Sequence, residues 1–191
     1  MKKIITYLVL LVTITSFSQT LETLKKDTEK MYEASYNMSF EEVIEYTHPK
    51  ILKTVSKEQM VQVLNNTFDN DNYKVRLVYP TVTFTYSEIK KIEGKSVCVI
   101  TYTNALRMTF TQKLTKDKVD EILTSFKSTD EYKTLKYEAD RNSFFLEGQA
   151  TMIAVADSDT KNEWKFVNYS KSQSAIAKLV FSDDLLKQLG F

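Results

Sequence analysis

Apolar residues recur every three or four positions over the first part of the chain and every second position from residue 73 onward, so helices are expected first and strands after them. From Thr20 to Tyr36, the residues Leu21, Leu24, Thr28, Met31, Tyr32 and Ser35 fall on one face, opposite Glu22, Lys25, Lys26 and Glu29. That pattern predicts an amphipathic helix. Ser39-Phe40-Glu41-Glu42 reads as a capping box with Met38 and Val43 as its hydrophobic staple. This second helix is expected to end near Thr47, because Pro49 disfavours the helical state for His48. Ser56-Lys57-Glu58-Gln59, stapled by Val55 and Met60, opens a third helix that runs to about Phe68. The turn-forming run Asp69-Asn70-Asp71-Asn72 stops it.

The period then changes. Tyr73, Val75, Leu77 and Tyr79 alternate with Lys74, Arg76 and Val78, and after Pro80 the alternation resumes with Val82, Phe84 and Tyr86. Pro80 cannot donate to a ladder, which predicts a bulge or an edge there. Glu93-Gly94 marks a hairpin turn, and Lys95 to about Phe110 a long strand. Thr115 caps a helix carrying Val119, Ile122, Leu123 and Phe126 on one face. A second strand set follows at Tyr132–Tyr137, Ser143–Ala156 and Glu163–Tyr169, although Asp130 to Asp140 also fits a helix. Ser174 to Leu189 is expected to form one or two short helices, with Ser182 as an N-cap and Gly190 past the end.

The N-terminus reads as an export signal. Lys2 and Lys3 precede an uncharged apolar run from Ile4 to Ile14, which falls short of the about 20 residues a membrane span needs. Ser16-Phe17-Ser18 places small residues at the −3 and −1 positions of a cleavage site after Ser18. Cleavage leaves 173 of the 191 residues and moves the formal charge from +1 to −1. No Cys follows the run, so the product is expected in a periplasm or outside the cell, not lipid-anchored. With no linker-like stretch and no repeat, residues 19–191 are expected to form one domain: a core over about 20–170 and a helical segment over 171–191.

Composition narrows the chemistry. A near-neutral chain with scattered lysines lacks the basic footprint of a nucleic-acid binder. A single His and a single Cys leave too few N and S ligands for most zinc sites, and three glycines cannot make a glycine-rich phosphate cradle. No metal and no cofactor is therefore expected. Asp69-Asn70-Asp71-Asn72 and Asp157-Ser158-Asp159 lack the Gly and terminal Glu of a calcium loop and read as turns. Cys98, within Val97-Cys98-Val99-Ile100, reads as a small buried hydrophobe. His48 would have to serve any Ser-His or Cys-His system, yet its place at a helix end suits a structural contact with free carbonyls. Arg107 interrupts an apolar and hydroxylated strand; it either meets an anionic ligand in a cavity or, by burial preference, lies on the solvent face. Eleven Tyr, eleven Phe and one Trp supply pocket walls with polar tips. Tyr36, Tyr46, His48, Tyr102, Arg107 and Trp164 are the candidate ligand-binding residues.

The order of helices, hairpin, helix and three strands resembles the nuclear transport factor 2-like superfamily. Met31-Tyr32-Glu33-Ala34, the Phe40-to-Tyr46 helix and Trp164-Lys165-Phe166-Val167-Asn168-Tyr169 are similar to segments of small exported proteins of this kind from Bacteroidetes-type bacteria. The resemblance covers about Thr20 to Tyr169. It implies an α+β fold in which N-terminal helices pack inside a strongly curved antiparallel sheet, a cone-shaped half-barrel with a pocket, followed here by short C-terminal helices. The superfamily's catalytic residues match no positions in this chain. The function expected is a non-catalytic exported module binding a small, partly apolar ligand or a protein partner, with a homodimer through the sheet face as the oligomer. An isomerase, dehydratase or hydrolase using a buried carboxylate with Tyr or His48 as acid/base is the alternative, and a structural adaptor of an envelope complex is a third reading.

Overall fold

A computed structural model describes residues 19–53 and 55–191, so the expected export signal, residues 1–18, lies outside the described residues. Helix α1 (Leu21–Tyr36) begins at Thr20, whose hydroxyl accepts from the Thr23 N–H while the Thr23 side chain returns to the Thr20 backbone. Leu24, Thr28, Met31 and Tyr32 of the expected face are buried, whereas Leu21 at the helix start is 43% exposed.

Helix α2 (Phe40–Glu45) ends before Thr47, and Ser39 makes no side-chain cap. Met38, at φ 60°, reverses the chain, and the turn is closed by backbone bonds from Met38 N–H to Ser35 O and from Ser39 N–H to Ala34 O. Ser39 is left at ψ 71°, far from the ψ near 160° of the working caps Ser56, Thr115 and Ser182, so its hydroxyl does not lie over the helix start. Pro49 also does more than end a helix. It occupies the first turn of a short helix, α3 (Pro49–Leu52), where its fixed φ and missing N–H cost nothing. His48 is thus the N-cap of α3, and its Nδ1 accepts from the Lys50 N–H at 3.2 Å; the expected contact with free helix-end carbonyls does not form. Helix α4 (Lys57–Phe68) carries the expected capping box between Ser56 and Gln59.

The strands are β1 (Tyr73–Leu77), β2 (Thr85–Tyr86), β3 (Lys90–Ile92), β4 (Lys95–Phe110), β5 (Thr134–Glu138), β6 (Ser143–Ala156) and β7 (Lys165–Tyr169), with helix α5 (Lys116–Ser128) between β4 and β5. They form one open antiparallel sheet of seven strands. Its spine is the β4–β6 pair, in register from Ser96↔Ala156 to Thr109↔Ser143. Strands β1, β2 and β3 line the free edge of β4 in turn, and β5 and β7 line that of β6. Pro80 separates β1 from β2, and only Thr85–Tyr86 of the expected Val82–Tyr86 alternation enters the ladder. Of the two readings of residues 130–140 the strand holds, closed by a single 3-10 turn at Ala139–Arg141 and by Asn142 in the left-handed conformation.

Because side chains alternate across a strand, the sheet has two different coats. Cys98 and Ile100 of β4, Met152, Ala154 and Ala156 of β6 and Phe166 of β7 pack with Leu24 and Met31 of α1 and with Trp164. On the other face Val97, Ile153, Val155 and Val167 pack under α6 (Ser174–Ala177) and α7 (Asp183–Gln188), through Ala177, Val180, Phe181, Leu185 and Leu186. The C-terminal segment therefore seals one half of the face that the N-terminal helices leave bare. Among the described residues no helix is long and apolar enough to cross a membrane.

Candidate functional site: a two-chambered cavity on the helix-bearing face

The N-terminal helices do not fill the sheet face they cover. A chamber of about 380 Å³ remains between α1, α2, α4 and the sheet, with walls that include Met31, Phe40, Met60, Phe68, Leu106 and Phe166. Its polar groups are few and uncharged: Ser35, Thr47, Asn104, Asn168 and the hydroxyls of Tyr32, Tyr46 and Tyr102. A second chamber of about 600 Å³ adjoins it toward the loop between α5 and β5, edged by Asp130, Glu131, Lys171 and Ser172. Tyr102, Asn104, Leu106 and Asn168 belong to the walls of both.

The second chamber lies where the sheet edge is interrupted. Pairing of β5 with β6 stops at Glu147 and pairing of β7 starts at Thr151, so Gly148 to Ala150 have no ladder partner on that side. The Glu131 carbonyl oxygen comes within 2.2 Å of where a Cβ on Gly148 would sit. Only glycine permits that approach. Gly148 is also the ladder partner of Asn104, so no β6 side chain stands directly opposite the Asn104 carboxamide. The Asn104 Oδ1 atom is buried and has no hydrogen-bond partner.

Tyr46 and Tyr102 line the helix-side chamber, and Tyr102 both chambers. Tyr102 is held edge-on by Tyr32 at 5.7 Å and Phe84 at 5.1 Å between ring centroids. Burial pushes the phenols of Tyr32 and Tyr102 up to about 12, so neither supplies a base near neutral pH. Tyr36, at the end of α1, lines neither chamber. Trp164 is buried in the core, where its indole N–H donates to Thr23 Oγ1 at 3.2 Å. Arg107 has the strand parity opposite to Tyr102 and lies on the other sheet face, paired with Glu138 at 3.0 Å and set against the Phe145 ring. Sequence reasoning missed Asn104, Asn168 and the α4 wall. Asn104 carried a signal nonetheless, as the one amide in the inward series Cys98, Ile100, Tyr102, Asn104, Leu106.

His48 lies outside both chambers, in a buried ionic cluster. Its Nε2 faces Asp157 Oδ2 at 3.5 Å, the Lys95 ammonium is 2.5 Å from the same oxygen, and Lys50 reaches Asp159 at 3.4 Å. The Asp157 Oδ1 accepts from the Thr160 N–H at 3.1 Å. His48, Asp157 and Asp159 bring donor atoms within 4.8 Å of one another, the set among the described residues that could hold a metal ion. Both carboxylates, however, already face lysine ammoniums, which neutralise them without a metal ion. Cys98, fully buried, has its thiol pushed up by burial and is inert as a nucleophile.

Burial drives the His48 imidazole below its ordinary value of 6.5, and the neighbouring Asp157 carboxylate offsets only part of this. The unfolded chain therefore takes up this proton first. The contribution of neutral His48 is complete above pH 6.5 and is lost as pH falls below it, by up to about 1.4 kcal/mol per pH unit. His48 is the chain's one histidine, so its effect can be isolated. Urea midpoints are expected to fall between pH 7 and 5.5 in the native chain and to stay level in His48→Asn, which keeps an N-cap acceptor. Equal slopes in the two proteins would remove His48 as the cause.

No protein-family model, curated protein or solved structure matches this chain.

Proposed function

We propose that this chain is a non-catalytic binding module of the nuclear transport factor 2-like type, exported by its N-terminal segment, that holds a small, partly apolar ligand between its helices and a cone-like sheet. Two long central strands flanked by short ones, with the N-terminal helices on one face and the short C-terminal helices on the other, suit that architecture. The observation that carries the function is the helix-side chamber of about 380 Å³, within the range of small-molecule sites, whose walls are apolar and whose polar groups are uncharged. An enzyme using a buried carboxylate with Tyr or His48 would need that carboxylate there. The chamber's titratable groups are tyrosines, and His48 and Asp157 lie elsewhere, with the Asp157 carboxylate paired to Lys95.

The test is binding of N-phenylnaphthylamine, an uncharged dye that fluoresces in apolar sites. Saturable binding is expected, and Leu64→Trp, which places an indole in the chamber from the half-exposed face of α4, is expected to weaken it about tenfold. Absence of binding, or binding indifferent to Leu64→Trp, would remove this function.

A further inference from the structure

Among the described residues two buried side-chain atoms have no hydrogen-bond partner: His48 Nε2 and Asn104 Oδ1. Their surroundings differ. His48 Nε2 is faced at 3.5 Å by the Asp157 carboxylate and opens on no chamber. Asn104 is a wall residue of both chambers, and its ladder partner is a glycine. Buried acceptors are almost always paired in folded proteins, because leaving one unpaired forfeits its hydration with nothing in return. An unpaired carbonyl oxygen on a residue that lines an apolar cavity is therefore a specificity element for whatever fills the cavity.

We propose that the ligand is an uncharged amphiphile, a chain alcohol or amide, whose apolar body occupies the helix-side chamber and whose O–H or N–H donates to Asn104 Oδ1. This rests on the binding function proposed above and adds the chemical class of the ligand. Three features of the site point to it. The helix-side chamber carries no Lys, Arg, His, Asp or Glu in its walls, so a charged head placed there would lose its hydration without a partner. The free atom is an acceptor, which favours a donor and repels a carboxylate, ester or ether oxygen. The apolar walls lie on the α1, α2 and α4 side of Asn104, while the charged groups Asp130, Glu131 and Lys171 edge the chamber on its other side. A molecule with its chain toward the helices and its donor at Asn104 matches that polarity.

The experiment displaces bound N-phenylnaphthylamine with three ligands of equal chain length: decanol, its methyl ether and decanoate. Decanol is expected to compete about tenfold better than the ether, in which a methyl group replaces the donor hydrogen, and better still than decanoate. In Asn104→Leu, with each competitor read against that variant's own dye affinity, the difference between decanol and the ether is expected to be gone. If the dye binds and all three ligands compete alike, or the ether or decanoate competes best, the chain is a pocket protein but the donor requirement is wrong. A preference for decanol that survives in Asn104→Leu assigns the contact to another group and overturns the proposal. If neither the dye nor any of the ligands binds, the pocket function falls as well.

Discussion

Asp157→Ala is expected to lower the stability of the folded chain by about 3–5 kcal/mol, the cost of breaking a buried ion pair from one side. The Asp157 side chain is 3% exposed and that of Lys95 14%, so removing the carboxylate leaves an ammonium in the protein with little water to replace its partner. The same change frees the Thr160 N–H and removes the group facing His48 Nε2. For a chain of this size the melting temperature is expected to fall by roughly 10 °C, read by circular dichroism. Asp157→Asn, which keeps an acceptor for Thr160 but not the charge, is expected to fall between the two. The double change Asp157→Leu with Lys95→Met is expected to recover part of the loss, because it removes the unpaired charge rather than leaving it. A melting temperature within a degree or two of the parent in Asp157→Ala would show that the cluster is open to water and not a buried tie. Dye binding by the folded fraction is expected to be unchanged, since the cluster borders neither chamber.

That cluster joins residues 48, 50, 95, 157 and 159, and nothing in their local spacing announces it. What the sequence shows well is local. The period change at residue 73, the Ser56–Gln59 box and the long strands β4 and β6 follow from alternation and capping alone, and they hold, whereas the pairing of those two strands does not follow from them. Ser39 fails for a reason the same rules cannot see, since whether a hydroxyl caps depends on the ψ that the preceding turn imposes. Pro49 was legible as a helix stop but served as a helix start, because proline suits both places. Strand parity was the underused signal for the site. It puts Tyr102 and Asn104 on one face and Arg107 on the other, so alternation along β4 suffices to part Tyr102 from Arg107 as wall residues. The chamber itself could not be read, because a void depends on how far α1, α2 and α4 stand off the sheet.

Trp164 puts a further test on the distinction between wall and core. Its side chain is 3% exposed and packs in the cluster that holds Leu24, Ala156 and Phe166, and its N–H reaches Thr23 in the first turn of α1. Trp164→Ala is expected to cost about 3–5 kcal/mol, from the lost burial and the cavity left between α1 and the sheet. Trp164→Phe keeps most of the ring and loses the hydrogen bond, so about 1 kcal/mol is expected. Urea unfolding followed by far-ultraviolet circular dichroism reads both, since the chain has no other tryptophan to report by fluorescence. The composition of the chain made Trp164 a candidate ligand contact, whereas its position makes it the anchor of the α1 N-terminus. The two roles part at Trp164→Phe. An anchor lowers the urea midpoint and leaves the affinity for N-phenylnaphthylamine unaltered, as expected for a residue outside both chamber walls. A ligand contact would do the reverse, weakening dye binding several-fold at little cost in stability.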